Sequence, residues 1–200
     1  MLQTTIIAIR ATIVTLVITG IVYPLIMTGL GQALFSHQAN GSLVKDEQGQ
    51  IIGSALIGQN FAHPTYFWPR PSAAGEKGYD ATASSGSNLG ATSQKLRDRI
   101  TADLARLAEA NPDAHGPVPF ELVAASASGL DPHLSPAAAL WQVPRVARAR
   151  GVAAERVRQI VEAEIEGRDL GVLGEPRVNV LALNRALDRR FGRPDLHAER

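Results

Sequence analysis

The residues from Ser126 to His133 (Ser-Ala-Ser-Gly-Leu-Asp-Pro-His) bring two hydroxyls, a carboxylate and an imidazole together, the side-chain types of nucleophilic hydrolysis. Closeness in sequence does not make a triad, which needs a base and an orienting acid arranged in space around an exposed nucleophile. Here Gly129 and Pro132 make the hydroxyls and the carboxylate read as turn formers and helix caps. Lys95, three residues after Thr92, has the spacing of a penicillin-binding-protein nucleophile and its lysine. Threonine stands where that chemistry needs serine, and a helix cap accounts for it. The run from Ser84 to Gly90, with Ser87 and Asn88 at its centre, offers backbone amides for an anion nest. A tight loop leading into a helix explains it more economically. Arg145, Arg148 and Arg150 form a basic cluster that suits an acidic partner or a phosphate, although a solvated helix face is the commoner origin of such a cluster.

Several chemistries are excluded. The Walker pattern of Gly, four residues, Gly, Lys and Ser/Thr is absent, so the chain is not expected to hydrolyse ATP alone. The histidines His37, His63, His115, His133 and His197 have no chelating spacing, and no metal site is expected. With no cysteine there is no disulfide, thiolate ligand or cysteine nucleophile. A formal charge of +1, nearly all of its basic side chains arginine, gives no footprint for nucleic acid.

The elements that must position these residues begin with an uncharged stretch from Ala11 to Leu34. A helix needs only about 20 residues to cross the hydrocarbon core, so a single span is expected. Ala11, Thr15 and Thr19, spaced four apart, lay a strip of small residues along one face where another membrane helix could approach. Pro24, next to Tyr23, should kink or loosen that helix by removing a backbone donor. Arg10 before the span, with no lysine or arginine after it until Lys45, predicts a cytoplasmic amino terminus and an exported remainder. A cleaved signal peptide is the rival, with small residues at Gly31 and Ala33, but the apolar run exceeds the roughly 7 to 15 residues of a signal core.

Beyond the span, Ser36 to Ser93 reads as short strands joined by turns. Thr92 or Ser93 caps a helix to about Ala110, with Leu96, Ile100, Leu104 and Leu107 on one face. Phe120 to Ala125 reads as a strand. Ser135 with Pro136 starts a helix that Pro144 must break or kink. A further helix covers about Ala153 to Glu166, and Val178 and Val180 lead into a last one ending near Arg190 with Leu181, Leu183 and Leu187 inward. The expected fold is α+β: one transmembrane anchor helix within 1–35, then a small mixed α/β extracytoplasmic domain over 36–200 whose last dozen residues are unconstrained.

Several stretches together carry a family resemblance. They are Gln38 to Leu43, Gly58-Gln59 with Phe61, Tyr66-Phe67 followed by Arg70-Pro71-Ser72, Ser84 to Gly90, Ser126 to His133, Gln142 to Ala147, and Val178 to Leu181 with Leu183-Asn184. In this order, from the span to about Leu187, the chain resembles the C subunit of the Kdp potassium-pumping P-type ATPase. One departure is Trp68, where members often carry other residues. The resemblance implies a non-catalytic subunit of a bacterial inner-membrane complex that takes up potassium. Its partners there are a potassium-channel-like A subunit, an ATPase B subunit and a small F subunit, with membrane lipid around the span. The family's C subunit is described as a catalytic chaperone, needed for assembly and raising the ATP affinity of the B subunit. No tightly bound cofactor is implied; ATP belongs to the complex, and an exported domain cannot touch ATP held in the cytoplasm. The site residues are therefore interface candidates: Ala11, Thr15, Thr19, Tyr23 and Pro24 in the membrane, and Arg70, Ser72, Ser87, Asn88, Ser126, Ser128, Asp131, His133, Gln142 and Arg145 in docking or nucleotide-related loops. The competing class is a stand-alone exported hydrolase or binding protein, cleaved after Ala33 and using the Ser126 to His133 tract.

Overall fold

A computed structural model of the chain describes residues 1–194, so His197 and the end of the tail lie outside the described residues. The chain divides into two compact units, Met1–Ile52 and Gly53–Arg200.

In the first unit, helix α1 (Leu2–Val17) continues through a π turn (Ile18–Val22) into α2 (Tyr23–Leu34), giving an unbroken 33-residue helix with an 18-residue stretch of mean hydropathy 2.2. It is long and apolar enough to cross a membrane. The helix starts earlier than the uncharged stretch, so Arg10 lies within it. The π turn falls just before Pro24. An i→i+5 turn widens the helix where the proline ring would meet the preceding carbonyl and where its N–H is missing. Pro24 is therefore accommodated by a bulge. Thr19 donates its hydroxyl to the Thr15 carbonyl at 2.8 Å, which satisfies it within the helix. A short α3 (Ser36–Ala39) and β1 (Leu43–Lys45) follow, and β1 pairs with β2 (Ile51–Ser54) across a turn where Asp46 accepts from the Gln48 and Gln50 amides.

The second unit is a mixed α/β domain. Helix α4 (Gln94–Ala110) is capped by Ser93, whose hydroxyl accepts from the Leu96 amide. Leu107 is fully buried and Ile100 packs against the core, whereas Leu104 faces solvent, so only part of the anticipated stripe is used. Helix α5 (Pro136–Arg150) forms the centre of the core and packs against α6 (Ala154–Ala163). It runs through Pro144 without ending. One lost backbone donor is outweighed because Val143, Val146 and Ala147 around it are buried. A three-stranded antiparallel sheet, in the order β3 (His133–Leu134), β5 (Arg177–Asn179), β4 (Ile165–Glu166), lies beside it, and α7 (Val180–Phe191) completes the core with Leu183 and Leu187.

One expected strand is absent, and within the stretch from Ser36 to Ser93 the short strands expected there are β1 and β2 alone. Phe120–Leu122 is a 3-10 turn, because Pro117 and Pro119 precede it, no strand pairs with it, and Glu121 instead accepts the Ser135 amide and hydroxyl at the start of α5. From Gly58 to Ser93 the chain is irregular, with neither helix nor strand. Ile165, expected at the end of a helix, belongs to β4.

Candidate functional site

The irregular stretch is held by side chains that reach back to the backbone, and this brings most of the candidate residues together. Arg70 Nη1 donates to Asp131 Oδ2 at 2.7 Å, and its other nitrogens lie 3.4 Å from the Ala124 carbonyl. The other oxygen of Asp131 accepts the His133 amide at 2.9 Å, and the His133 Nδ1 stands 3.7 Å from it. Burial alone would raise the Asp131 pKa, but the His133 contacts and the Arg70 charge win, and the carboxyl titrates below the ordinary range.

Ser72 acts as a second tie. Its hydroxyl donates to the Gly129 carbonyl at 2.6 Å and accepts the amides of Ala74 and Tyr79. Tyr79, held at φ 58°, donates its hydroxyl to the Arg70 carbonyl. Burial, followed by the charge of Asp131, pushes its phenol pKa up, so it stays a donor. The Ser126 hydroxyl accepts the Gly129 amide at 2.9 Å and the Ser128 hydroxyl accepts the Leu130 amide at 3.1 Å. Both close local turns, the role expected of such residues outside helices.

The Ser84 to Gly90 loop joins the same cluster: the Ser85 amide and the Ser84 hydroxyl both donate to the Ser128 carbonyl. Gly129 sits where the segments cross, at φ 67°, and a Cβ there would stand 2.6 Å from the Ser85 carbonyl oxygen and 2.7 Å from the Ala74 nitrogen. Only glycine fits both the backbone angle and the space. Gly58, at which a Cβ would lie 2.6 Å from the Asp131 carbonyl oxygen, donates its amide to Leu130. Ser87 and Asn88 do not share in these ties; neither makes a hydrogen bond to another described residue, and Asn88 is exposed at φ 50°.

The product is an open depression of about 610 Å³, lined by Leu56, Ile57, Leu130 and Pro132 beside the Arg70 and Asp131 pair and the Ser126–Ser128 segment. Its hydroxyls and carboxylate are occupied in holding loops. Among the described residues no group of three or more His, Cys, Asp or Glu side chains could hold a metal ion.

Gln142 and Arg145 stand apart from this surface. Both are buried, at 0% and 2% exposure, and so cannot themselves face a partner. Arg145 donates to Asn111 Oδ1, to the Pro64 and Tyr66 carbonyls and to Gln142 Oε1, and its guanidinium stacks 4.0 Å from the Trp68 ring centre. Gln142 takes the Trp68 amide and returns a bond to the Trp68 carbonyl. Asn184 does the same for Phe67. Burial, then the charges of Arg106 and Arg148, push the Arg145 pKa down to about 9, and the group remains a cation at neutral pH. The basic cluster is likewise not a free face: Arg150 pairs with Asp188 and stacks on Tyr66, and Arg148 pairs with Asp113. Sequence reasoning missed Asn111, Asn179 and Asn184 as structural residues, although Gln142 within α5 and Asn184 within α7, polar residues among apolar neighbours, were the available signal. Asn179 caps α7 and donates to the Ala55 carbonyl.

The chain thus joins an apolar helix long enough to span a bilayer to a mixed α/β domain whose polar cluster ties its loops together. Residues 5–189 match the family described as K+-transporting ATPase, c chain, and the chain belongs to that KdpC family. It is 65% identical over 192 residues to the KdpC subunit of the potassium-transporting ATPase from Myxococcus xanthus, covering 96% of this chain and 90% of that protein. Its identity to the same subunit from Rhodospirillum rubrum is 56% over 174 residues (87% and 89% covered), and to that from Burkholderia orbicola strain MC0-3 it is 53% over 176 residues (88% and 91% covered).

Proposed function

We propose that this chain is a non-catalytic assembly subunit of a potassium-transporting ATPase, its helix anchored in the bacterial inner membrane with the amino terminus cytoplasmic. The domain, residues 36–200, lies outside the cytoplasm and docks over the external mouth of the channel-like A subunit, stabilising its association with the ATPase B and small F subunits. Ala11, Thr15, Thr19, Tyr23 and Pro24 form the membrane contact, and the face built from Arg70, Ser72, Ser126, Ser128, Asp131 and His133 forms the docking surface, with half-buried Ser87 and exposed Asn88 in the loop beside it. Gln142 and Arg145 act indirectly, by fixing the Pro64–Trp68 segment that leads to Arg70.

The observation that carries this reading is the locked loop cluster. Its chemistry-bearing side chains are spent on backbone ties and on the Arg70–Asp131 pair, leaving a preorganised surface, which is what low-cost docking requires. The chaperone effect on ATP affinity then operates by coupling: a subunit that binds the ATP-competent state of the complex more tightly raises ATP affinity by the same factor, with no contact to nucleotide.

The test is co-purification through a carboxyl-terminal tag from potassium-starved cells in mild detergent. Recovery of a potassium-stimulated ATPase with residues 1–35 still attached supports the reading. A lone, truncated chain would return the exported-hydrolase alternative. Deleting the domain while keeping the span should abolish assembly or potassium uptake, and unchanged transport would overturn the docking role.

A further inference from the structure

The hairpin between β4 and β5 presents Leu170, Val172 and Leu173 to solvent at 90%, 73% and 57% exposure. These are large apolar side chains packed into four consecutive residues, at the end of the sheet opposite the one where the Ser126–His133 loop enters β3. The tip is not a slack loop. A backbone bridge joins Asp169 to Leu173, Leu170 is held in the left-handed region at φ 53°, and glycines flank the turn. Directly beneath it, Arg168 pairs with Glu175 at 2.8 Å, while Arg177 pairs with Glu166 at 3.1 Å and with Asp169 at 3.3 Å. Two arginines and three carboxylates thus pair in a collar with a net charge of −1, and the apolar tip stands above it.

We infer that this tip inserts into the interfacial region of the lipid bilayer, its collar of ion pairs remaining at headgroup level. The chain supplies the surface itself. The membrane-type helix ends at Leu34 and the second unit begins at Gly53, so the connecting residues 35–52 can reach no further than about 60 Å even if fully extended. The second unit is therefore tethered to the bilayer that holds the helix, at the high effective concentration of a linked pair. Burying such a patch removes apolar surface from water, and the internally paired collar makes the contact apolar and not a response to anionic lipid. The inference does not depend on which subunit the depression near Arg70 faces, since the two features are at opposite ends of the sheet.

The absence of cysteine allows one reporter to be placed uniquely. The full-length chain carrying Val172→Cys, labelled with an environment-sensitive nitrobenzoxadiazole, is reconstituted into phosphatidylcholine vesicles containing spin-labelled phosphatidylcholine in both leaflets. Its emission should shift to the blue and be quenched several-fold more than that of the exposed position Ala91→Cys, and raising the salt should not change it. With Leu170→Asn and Leu173→Asn added, quenching at position 172 should fall to the level at 91. Equal quenching at 172 and 91 overturns the inference, and so does a label shielded only when other subunits are present, which would mean that protein covers the tip. Quenching that survives the double substitution also overturns it, because the apolar tip would then not be the inserting element.

Discussion

Arg70 and Arg145 are both tied into the loop that joins the irregular segment to the core, yet they do different work. Arg70 and Asp131 sit at the surface with side chains 24% and 27% exposed, a cation opposite its own carboxylate. Arg145 has no carboxylate partner among the described residues; its guanidinium is matched by carbonyls and amide oxygens, with an aromatic face on one side. A surface pair fixes a loop at little net gain in stability and remains available to a partner. A buried cation among neutral acceptors is inaccessible, and its removal strands every acceptor at once. Candidate residues of the same type thus separate into a surface that can dock and a clamp that holds the surface in place.

The contrast is sharpest at Arg145. Arg145→Met should cost about 3–5 kcal/mol by leaving buried acceptors unpaired. Arg145→Lys should restore little, because a point-like ammonium cannot span the same fork. Denaturant unfolding of the purified chain in detergent, followed through tryptophan fluorescence, reads both, and a loss under about 1 kcal/mol would erase the distinction from Arg70. Next is Gly129→Ala, which places a Cβ against the Ser85 carbonyl oxygen and the Ala74 nitrogen and should cost roughly 2–3 kcal/mol. It should also separate the Ser84–Gly90 loop from the cluster, which appears as faster amide exchange at Ser85 in deuterium-exchange mass spectrometry.

Asp131→Asn should change stability less, by about 1 kcal/mol, and co-purification with the transport complex more. The pH dependence follows from the lowered pKa of Asp131. The native state favours the ionised form, so the stabilisation is present above the unfolded value of about 4 and is lost as pH falls through the lower native value. The substitution should flatten that part of the acid unfolding profile, and an unaltered profile would mean that the His133 contacts and the Arg70 charge do not hold the native carboxylate ionised. The smallest effect belongs to Ser128→Ala. Its carbonyl, which accepts from Ser84 and Ser85, is retained and only the turn bond to Leu130 is lost, so stability should fall by less than about 1 kcal/mol with complex formation intact. Loss of a hydrolytic turnover with an intact fold would make the tract an active site after all.

Helix starts were legible because capping is local. Ser93, Ser135 and Asn179 each accept the amide three residues on, and the first two stand out in sequence beside Gln94 and Pro136. Pro144, expected to break or kink its helix, does not break it, because Val143, Val146 and Ala147 around it are buried. Phe120 to Ala125 misled because β propensity presumes a neighbouring strand, and there Glu121 is drawn to the Ser135 cap. The site was half legible. Arg70, Ser72, Ser126, Ser128 and Asp131 do converge, but the grouping of Gln142 and Arg145 with them confused residues that fix a surface with residues that form it.

The apolar helix was decided by sequence alone, because hydrophobic length is additive along the chain and needs no partner. So were the Ser135 cap, the glycine and serine turns, and the absence of cysteine and of a P-loop pattern. Tertiary structure alone decided which arginine is buried, where the Asp131 carboxylate finds its cation 61 residues away, and that Gly129 lies at the crossing of three segments. Those outcomes depend on long-range burial and on competition among acceptors for the same donor, quantities that exist only once distant segments have met.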